Sequence, residues 1–176
     1  MSLQYQAQSG SYDDFMGEYS PADATRLAAG GRSLLFKSVA NKDIDARVAI
    51  TNQLLDDGAD PSIVSNGINV LHVLFGSRYH DAAKEAPMLR RLIEGGADIN
   101  QDSKRSGPPL AVLIQHGPRP ETACEPFYDV IFAQPNLDLN APYEKGTLHE
   151  LIFDSVWNLP LLRERVRAYE IAVGTS

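Results

Sequence analysis

Four histidines and one cysteine are the side chains of this 176-residue chain that are best suited to chemistry. His149 is followed by Glu150, as in the zinc-binding helix His-Glu-x-x-His, but Phe153 stands where that helix needs its second histidine. His80 and His116 are too far apart in sequence to be ligands from one helix, and a lone cysteine supplies no second thiolate. The sequence therefore predicts no metal site.

Nucleophilic catalysis is the remaining chemical possibility. Cys124 and His116 are residue types used in thiol catalysis, but no third side chain that would orient the histidine is evident. The chain also lacks a glycine-rich phosphate loop with its Lys-Ser/Thr pair. We predict a protein that is not an enzyme and binds no cofactor. An enzyme or metal-dependent protein that uses the loops of His80, His116 and Cys124 is kept as the alternative.

The composition is that of a folded, acidic protein. Hydrophobic residues make up 43% of the chain, which excludes intrinsic disorder, and the formal net charge is -7. That charge argues against a nucleic-acid or anionic membrane surface, and no apolar run reaches the ~20 residues that span a bilayer. A single cysteine, Cys124, fits a reducing compartment. We therefore expect a cytoplasmic protein without a nucleic-acid or membrane partner.

Two short sequence patterns recur with nearly the same period. The first ends a helix; it reads Leu-Leu-Asp-Asp-Gly-Ala-Asp over 54–60 and Leu-Ile-Glu-Gly-Gly-Ala-Asp over 92–98, with a degenerate copy over 131–140. The second begins a helix, and its recurring residues are Leu35, Leu71, Leu110 and Leu148. These leucines are 36, 39 and 38 residues apart, which indicates stacked supersecondary units.

These patterns make the chain resemble the ankyrin repeat family, whose unit is a β-turn followed by two helices. The best helix-opening copy is Gly-Ile-Asn-Val-Leu-His over 67–72, and the best helix-closing copy is Gly-Gly-Ala-Asp-Ile-Asn over 95–100. No copy has the full Thr-Pro-Leu-His signature, and each period exceeds the usual ~33 residues. The resemblance implies an all-α fold of the α-solenoid type, an ankyrin-type stack of helix pairs joined by hairpin loops. It also implies that His72 and His149 brace the hairpins by hydrogen bonding.

Local signals predict the helix ends. Gly58 and Gly96 each follow a helical stretch, where a left-handed cap favours a residue without Cβ. The aspartates that follow these segments, suited to accept hydrogen bonds in a turn, are Asp60, Asp98 and Asp138. We expect Pro87 and Pro126 in the first turn of their helices, where a missing N–H is tolerated.

The predicted organisation has a cap at each end of the repeats. We expect residues 1–10 to be disordered, because they are polar and aperiodic, and residues 11–30 to form an N-terminal helical cap with a helix from Pro21 to Ala28. The repeats are expected over 31–157, divided as 31–66, 67–105, 106–143 and the partial unit 144–157, and a C-terminal capping helix over 158–176. The extra residues of each period lie near 41–45, 77–86 and 117–125. These insertions either form a binding edge or are loops whose added length is tolerated without a function.

By resemblance to ankyrin proteins, exposed inner-helix and hairpin-tip positions bind a partner protein. The inner-helix positions are Lys37, Val73, Val112, Gln115 and Glu150. The tip positions are Asn66, Ile68, Asp102, Lys104, Arg105, Tyr143, Glu144 and Lys145. Tyr143 is the preferred anchor, because an exposed tyrosine offers a large contact area at low entropy cost.

The expected function is a non-catalytic protein-protein interaction module that is a monomer on its own. A narrower form is an acidic inhibitor or immunity-type protein whose net charge of -7 steers it to a basic partner. The sequence leaves open whether the concave groove or the inserted loops make the contact.

Overall fold

The computed structural model describes residues 2–174, and helices dominate this part of the chain. The helices are α1 (Leu3–Ser9), α2 (Tyr12–Met16), α3 (Leu35–Ser38), α4 (Ile44–Asp56), α5 (Val70–Phe75), α6 (Ala82–Glu94), α7 (Pro109–His116), α8 (Glu125–Ile131), α9 (Leu148–Asp154) and α10 (Pro160–Gly174). The strands β1 (Pro142–Tyr143) and β2 (Gly146–Thr147) form an antiparallel pair. The protein is therefore of the all-α class.

Most helices pack against a helix two places along the chain, and some also pack closely against a sequence neighbour, as α3 does against α4. In the odd row, α1 contacts α3, α3 contacts α5 and α5 contacts α7. In the even row, α2 contacts α4, α4 contacts α6, α6 contacts α8 and α8 contacts α10. The core lies between the rows and contains the four periodic leucines, Leu35, Leu71, Leu110 and Leu148. Among residues 2–174, no helix has both the length and the apolarity to cross a membrane.

The predicted helix-end signals are confirmed where a special backbone conformation is needed. Gly58 and Gly96 have φ angles of 88° and 115°, in the left-handed region that other residues avoid. The three turn aspartates each accept a hydrogen bond from the backbone N–H two residues on, at 2.8, 2.8 and 2.9 Å; they are Asp60, Asp98 and Asp138. Successive units therefore leave their helices by the same turn.

The prediction of a disordered N-terminus over 1–10 is wrong for the described residues, because 3–9 form α1. Ala7 is fully buried, and Asn41 donates from Nδ2 to the carbonyl oxygens of Ala7 and Gly10 at 3.1 and 3.0 Å. Ser2 caps the helix by accepting from the N–H of Tyr5. Tertiary contacts hold a helix too short to show a periodic pattern.

Two further boundaries differ from the sequence prediction. The helix expected from Pro21 to Ala28 is a single 3₁₀ turn over Pro21–Asp23, and Leu27 is 53% exposed, so no apolar stripe supports a longer helix. Pro87 lies inside α6 rather than in its first turn, because Asp81 caps the helix several residues earlier. The loop predicted over 77–86 is therefore shorter than expected.

The C-terminal helix is confirmed as α10, within the expected 158–176; Thr175 and Ser176 lie outside the described residues. Leu162 and Val166 are buried as the predicted apolar stripe requires, whereas Val173 is 49% exposed. The stripe therefore packs over the first half of the helix and not over its last turn.

A fully buried ionic cluster connects α4 to α6. The side chains of Arg47 and Glu85 are both 0% exposed, and the guanidinium donates to the carboxylate. Arg47 also donates to the carbonyl oxygens of Asn41 and Tyr79, at 2.8 and 2.9 Å, and to Oγ of Ser77 at 2.8 Å. The arginine thereby fixes the loop before α4 and the loop before α6.

The Glu85 carboxylate makes its remaining polar contacts within the same cluster. It accepts from the N–H of Asp81 at 2.8 Å, and Nδ1 of His80 lies 3.2 Å from its carboxylate. The His80 side chain is fully buried, edge-on to Phe127 with ring centroids 5.4 Å apart. The cluster therefore holds the loop before α6 against the core.

Replacement of Glu85 by alanine should destabilise the fold strongly, because Arg47 would remain buried without a carboxylate. We expect Glu85→Ala to lower the free energy of unfolding by about 3–5 kcal/mol, measured by urea denaturation. Lys84→Ala is the matched control: its ion pair with Asp45, at 2.7 Å, is exposed, so its removal should change stability little. Equal stability of Glu85→Ala and the wild type would contradict the role given to this cluster.

Candidate functional site

A groove of about 440 Å³ runs along the odd-row helices, beneath the hairpin tips. Its lining residues define the central groove: Arg32, Asn66, Ile68, His72, Val73, Gly76, Ser103, Arg105, Ser106, Val112 and His116. Helices α5 and α7 together with Ile68 supply the floor, and Asn66 and the tip near 103–107 supply the rim. Residues distant in sequence thus meet in one concave surface.

The rim depends on two tight turns. In the first, the N–H of Ser65 donates to the carbonyl oxygen of Ile68 at 2.9 Å, and Asn66 and Gly67 between them have φ angles of 54° and 77°. In the second, the N–H of Gly107 donates to the carbonyl oxygen of Ser103 at 2.7 Å. Both turns project their central residues over the groove.

His72 connects the floor to the rim. Its Nε2 donates to the carbonyl oxygen of Gly107 at 3.0 Å, which leaves Nδ1 to accept from the N–H of Asn69 at 3.2 Å. Burial lowers the pKa of His72, although the Gly107 carbonyl opposes the shift. The bracing role expected for His72 is confirmed.

His149 does not repeat this arrangement, so the same expectation is wrong there. Its side chain is partly exposed, stacks on Phe153 with ring centroids 4.5 Å apart, and places Nε2 3.2 Å from a carboxylate oxygen of Glu170. The chain that follows is the capping helix α10 rather than another hairpin, so no equivalent of Gly107 is present.

The structure brings five of the predicted partner-binding residues into the central groove: Asn66, Ile68, Val73, Arg105 and Val112. Val112 was expected to be exposed, but it is only 6% exposed, because it packs into the floor between neighbouring helices. Ile68 and Val73 are half-buried beside it. The floor is therefore apolar.

Four more of the predicted residues lie in a neighbouring cavity of about 250 Å³, the tip cleft, which Arg105 also lines. These four are Asp102, Lys104, Tyr143 and Glu144. Lys145 is exposed at the turn between β1 and β2 but does not line the cleft. The tips therefore form a second, more polar depression beside the groove.

The remaining three predicted residues make hydrogen bonds within the protein. Lys37 donates to Oε1 of Gln8 on α1 at 3.1 Å, and Gln115 donates to the hydroxyl of Tyr143. Glu150 accepts from the N–H of Thr147 at 2.8 Å and caps α9. These contacts give the three side chains a structural role.

Tyr143 is half-buried, not the exposed anchor that was expected. Its ring covers Gly107 so closely that a Cβ there would lie 2.5 Å from the ring. Desolvation raises the pKa of its hydroxyl, which also accepts the hydrogen bond from Gln115. The side chain packs one tip against the next.

The alternative catalytic residues do not share an open site. His80 is enclosed by the ionic cluster, and Cys124 is buried with its thiol donating to the carbonyl oxygen of Pro118 at 3.4 Å. Burial raises the pKa of that thiol, which disfavours the nucleophilic thiolate. His116 alone reaches the groove. Within residues 2–174, no three His, Cys, Asp or Glu side chains are placed to hold a metal ion.

Six groove residues were not among the predicted partner-binding positions: Arg32, His72, Gly76, Ser103, Ser106 and His116. Arg32 occupies the position in its repeat that Ile68 occupies in the next, so alignment of the two copies would have found it. His116 follows Val112 by one helical turn and was considered only as a catalytic residue.

Comparisons with known proteins support the fold and leave the function open. No protein-family model matches the chain, and no curated protein matches it. The crystal structure of a functionally unknown protein from Leptotrichia buccalis C-1013-b is similar, with a TM-score of 0.76 and 21% sequence identity over 98% of this chain and 94% of that chain. At this identity the likeness shows a shared fold and nothing about function, so a function can be inferred only from the geometry of the groove.

The stability contributed by neutral His72 should depend on pH. Because burial lowers its pKa, the unfolded chain takes up this proton at a higher pH than the folded protein. The contribution is complete above about pH 6.5, the ordinary pKa of histidine, and is lost as the pH falls below that value. The stability difference between the wild type and His72→Gln, measured by urea denaturation, should therefore shrink from about pH 7.5 to about pH 5.5. A difference independent of pH would contradict this assignment.

Truncation of Tyr143 should cost stability. Tyr143→Phe removes only the hydrogen bond with Gln115 and should lower the free energy of unfolding by about 1 kcal/mol. Tyr143→Ala also uncovers Gly107 and should lower it by roughly 2–3 kcal/mol. Thermal and urea denaturation would compare the two variants. If Tyr143→Ala is as stable as the wild type, the ring is a free surface group.

Proposed function

We propose that this protein is a non-catalytic protein-interaction module, an ankyrin-type α-solenoid that binds a partner protein in the central groove. In this proposal it is cytoplasmic and is a monomer on its own. The lone, buried Cys124 accords with a reducing compartment.

The packing of the helices supports the solenoid part of the proposal. Odd-row helices pack against odd-row helices and even-row helices against even-row helices, as stacked helix pairs require. The turns that follow α4 and α6 use the same glycine conformation and the same aspartate hydrogen bond. One unit repeated along the chain explains both features.

The central groove carries the functional part of the proposal. It is concave, and its floor is formed by the apolar side chains of Ile68, Val73 and Val112. Its rim is polar and includes Asn66 and Arg105, which are exposed. An apolar centre with a polar rim is the usual anatomy of a protein-binding surface.

The enzyme alternative gains no comparable support. Catalysis by Cys124 needs an accessible thiolate, whereas this thiol is buried and its pKa is raised. Nucleophile and base must also lie within hydrogen-bonding distance, yet the thiol donates to a backbone carbonyl instead.

A groove-filling variant tests the proposal. Ser106 lines the rim and is half-buried, so Ser106→Trp should occupy the groove without removing a core side chain. Ala83, exposed on α6, provides the matched control Ala83→Trp. The three proteins would be used to capture partners from a lysate of the source organism, with quantitative mass spectrometry. A partner retained by the wild type and Ala83→Trp should bind Ser106→Trp with a Kd at least about tenfold higher.

The result that would overturn the proposal is equally specific. Partners captured to the same extent by Ser106→Trp and the wild type would place the contact outside the central groove. Failure to capture any protein with the folded wild type would remove the interaction function altogether.

A further inference from the structure

Positive charge collects along the odd-row face, although the chain as a whole is acidic. Arg32 and Arg105 line the central groove. A cavity of about 250 Å³ that shares Val73 with this groove is lined by Lys42 and Arg78. The two cavities together form the extended groove, and no aspartate or glutamate lines either of them. In a chain with 23 Asp+Glu and 16 Lys+Arg, this lining is opposite in sign to the net charge.

Five cations outside the extended groove are paired with carboxylates: Arg26, Arg47, Lys84, Arg91 and Arg165. On the even row, Arg91 contacts Asp56 and Arg165 contacts Asp129, each at 2.6 Å. Among residues 2–174, none of the four extended-groove cations has a carboxylate partner in an ion pair, and the groove that they line contains no carboxylate. Their positive charge is therefore free to act on a ligand.

Arg32 is held in place without being neutralised. Its Nε donates to Oγ of Ser65 at 3.4 Å, and its guanidinium lies over the ring of Phe36, 5.3 Å from the centroid. Arg105 also borders the tip cleft, where Asp102 is located, but makes no ion pair with it. A ligand carboxylate would find an unpaired donor at both residues, and the donor at Arg32 is already held in position.

The floor restricts what kind of anion fits. Ile68, Val73 and Val112 present apolar surface between the cations, so the ligand needs an apolar group flanked by negative charges. No Phe, Tyr or Trp of residues 2–174 lines the central groove, and Tyr79 is the one such residue that lines the adjoining cavity, so the extended groove has no row of rings on which successive bases could stack. A net charge of -7 also repels an extended polyanion more than a short acidic segment.

We propose that the extended groove binds an acidic segment of a partner protein, in which an apolar side chain is flanked by aspartate or glutamate. The apolar side chain sits on the floor, and the carboxylates pair with Arg32, Arg105 and the cations of the adjoining cavity. This inference rests on the proposed function and specifies the partner. It reverses the sign of the partner charge suggested by the net charge alone.

Selection from a random peptide library tests the inference without assuming the answer. Displayed peptides of about ten residues, which extend to about 33 Å, would be selected on the full chain and then measured singly by fluorescence anisotropy. The expected winners carry several Asp or Glu residues around a Leu, Ile, Val or Phe. Their affinity should fall as salt increases, because screening weakens each carboxylate contact.

Charge reversal at matched sites identifies the surface that binds. Arg105 and Arg90 are both exposed, the first in the extended groove and the second on the even-row helix α6. Arg105→Glu should raise the Kd of a selected peptide at least about tenfold, whereas Arg90→Glu should change it less than about twofold. Urea denaturation of both variants would verify that each remains folded.

The other outcomes separate the inference from the function on which it rests. Neutral or basic peptides that bind the wild type but not Ser106→Trp would overturn the acidic-segment inference and leave the groove as a protein-binding site. Groove-dependent binding of a labelled oligothymidine, with no peptide selected, would overturn both in favour of nucleic acid. If neither probe binds the folded wild type, both the inference and the proposed function fail.

Discussion

No helix of the central odd row is long enough to persist by itself in water. Helices α3, α5 and α7 have four, six and eight residues, well below the ~12–15 at which an isolated helix becomes marginally stable. Each therefore exists because a neighbour covers its apolar side, and specific polar contacts fix how neighbours meet. His72 connects one unit to the next hairpin, and Arg47 with Glu85 connects one even-row helix to the next. The central groove lies on the side of the odd-row helices that no other helix within residues 2–174 covers.

The fold was predictable at positions where the backbone conformation restricts which residue types can occur. A left-handed helix end favours glycine and the following turn favours aspartate, so Gly96 and Asp98 could be placed correctly from the sequence. Helix α1 carries only the N-cap Ser2 as a local signal of this kind, and buried contacts of Ala7 with distant residues hold it in place. Pro87 was misplaced because surrounding structure tolerates a proline within α6, against its local preference.

The candidate site was predictable in outline but not residue by residue. The recurring sequence pattern located Asn66 and Arg105 on the groove, which both residues line. It failed for Tyr143 and Val112, because whether a side chain on that face is exposed depends on the neighbouring unit that covers it. The exposure of a side chain depends on how neighbouring helices pack and cannot be predicted from one copy of the sequence pattern.

Net charge and groove charge have different physical consequences. At physiological ionic strength the screening length is about 8 Å, so carboxylates on the even row act weakly on a ligand seated at the odd row. Inside the groove, Arg32 and Arg105 act at contact distance beside apolar surface that excludes water, where each charge interaction is stronger than in bulk solvent. Several of the distant carboxylates pair with cations of their own face, as Asp56 does with Arg91. In the proposed complex, the local charge would therefore determine which segment the groove selects. The net charge of the chain would determine how fast a whole partner arrives.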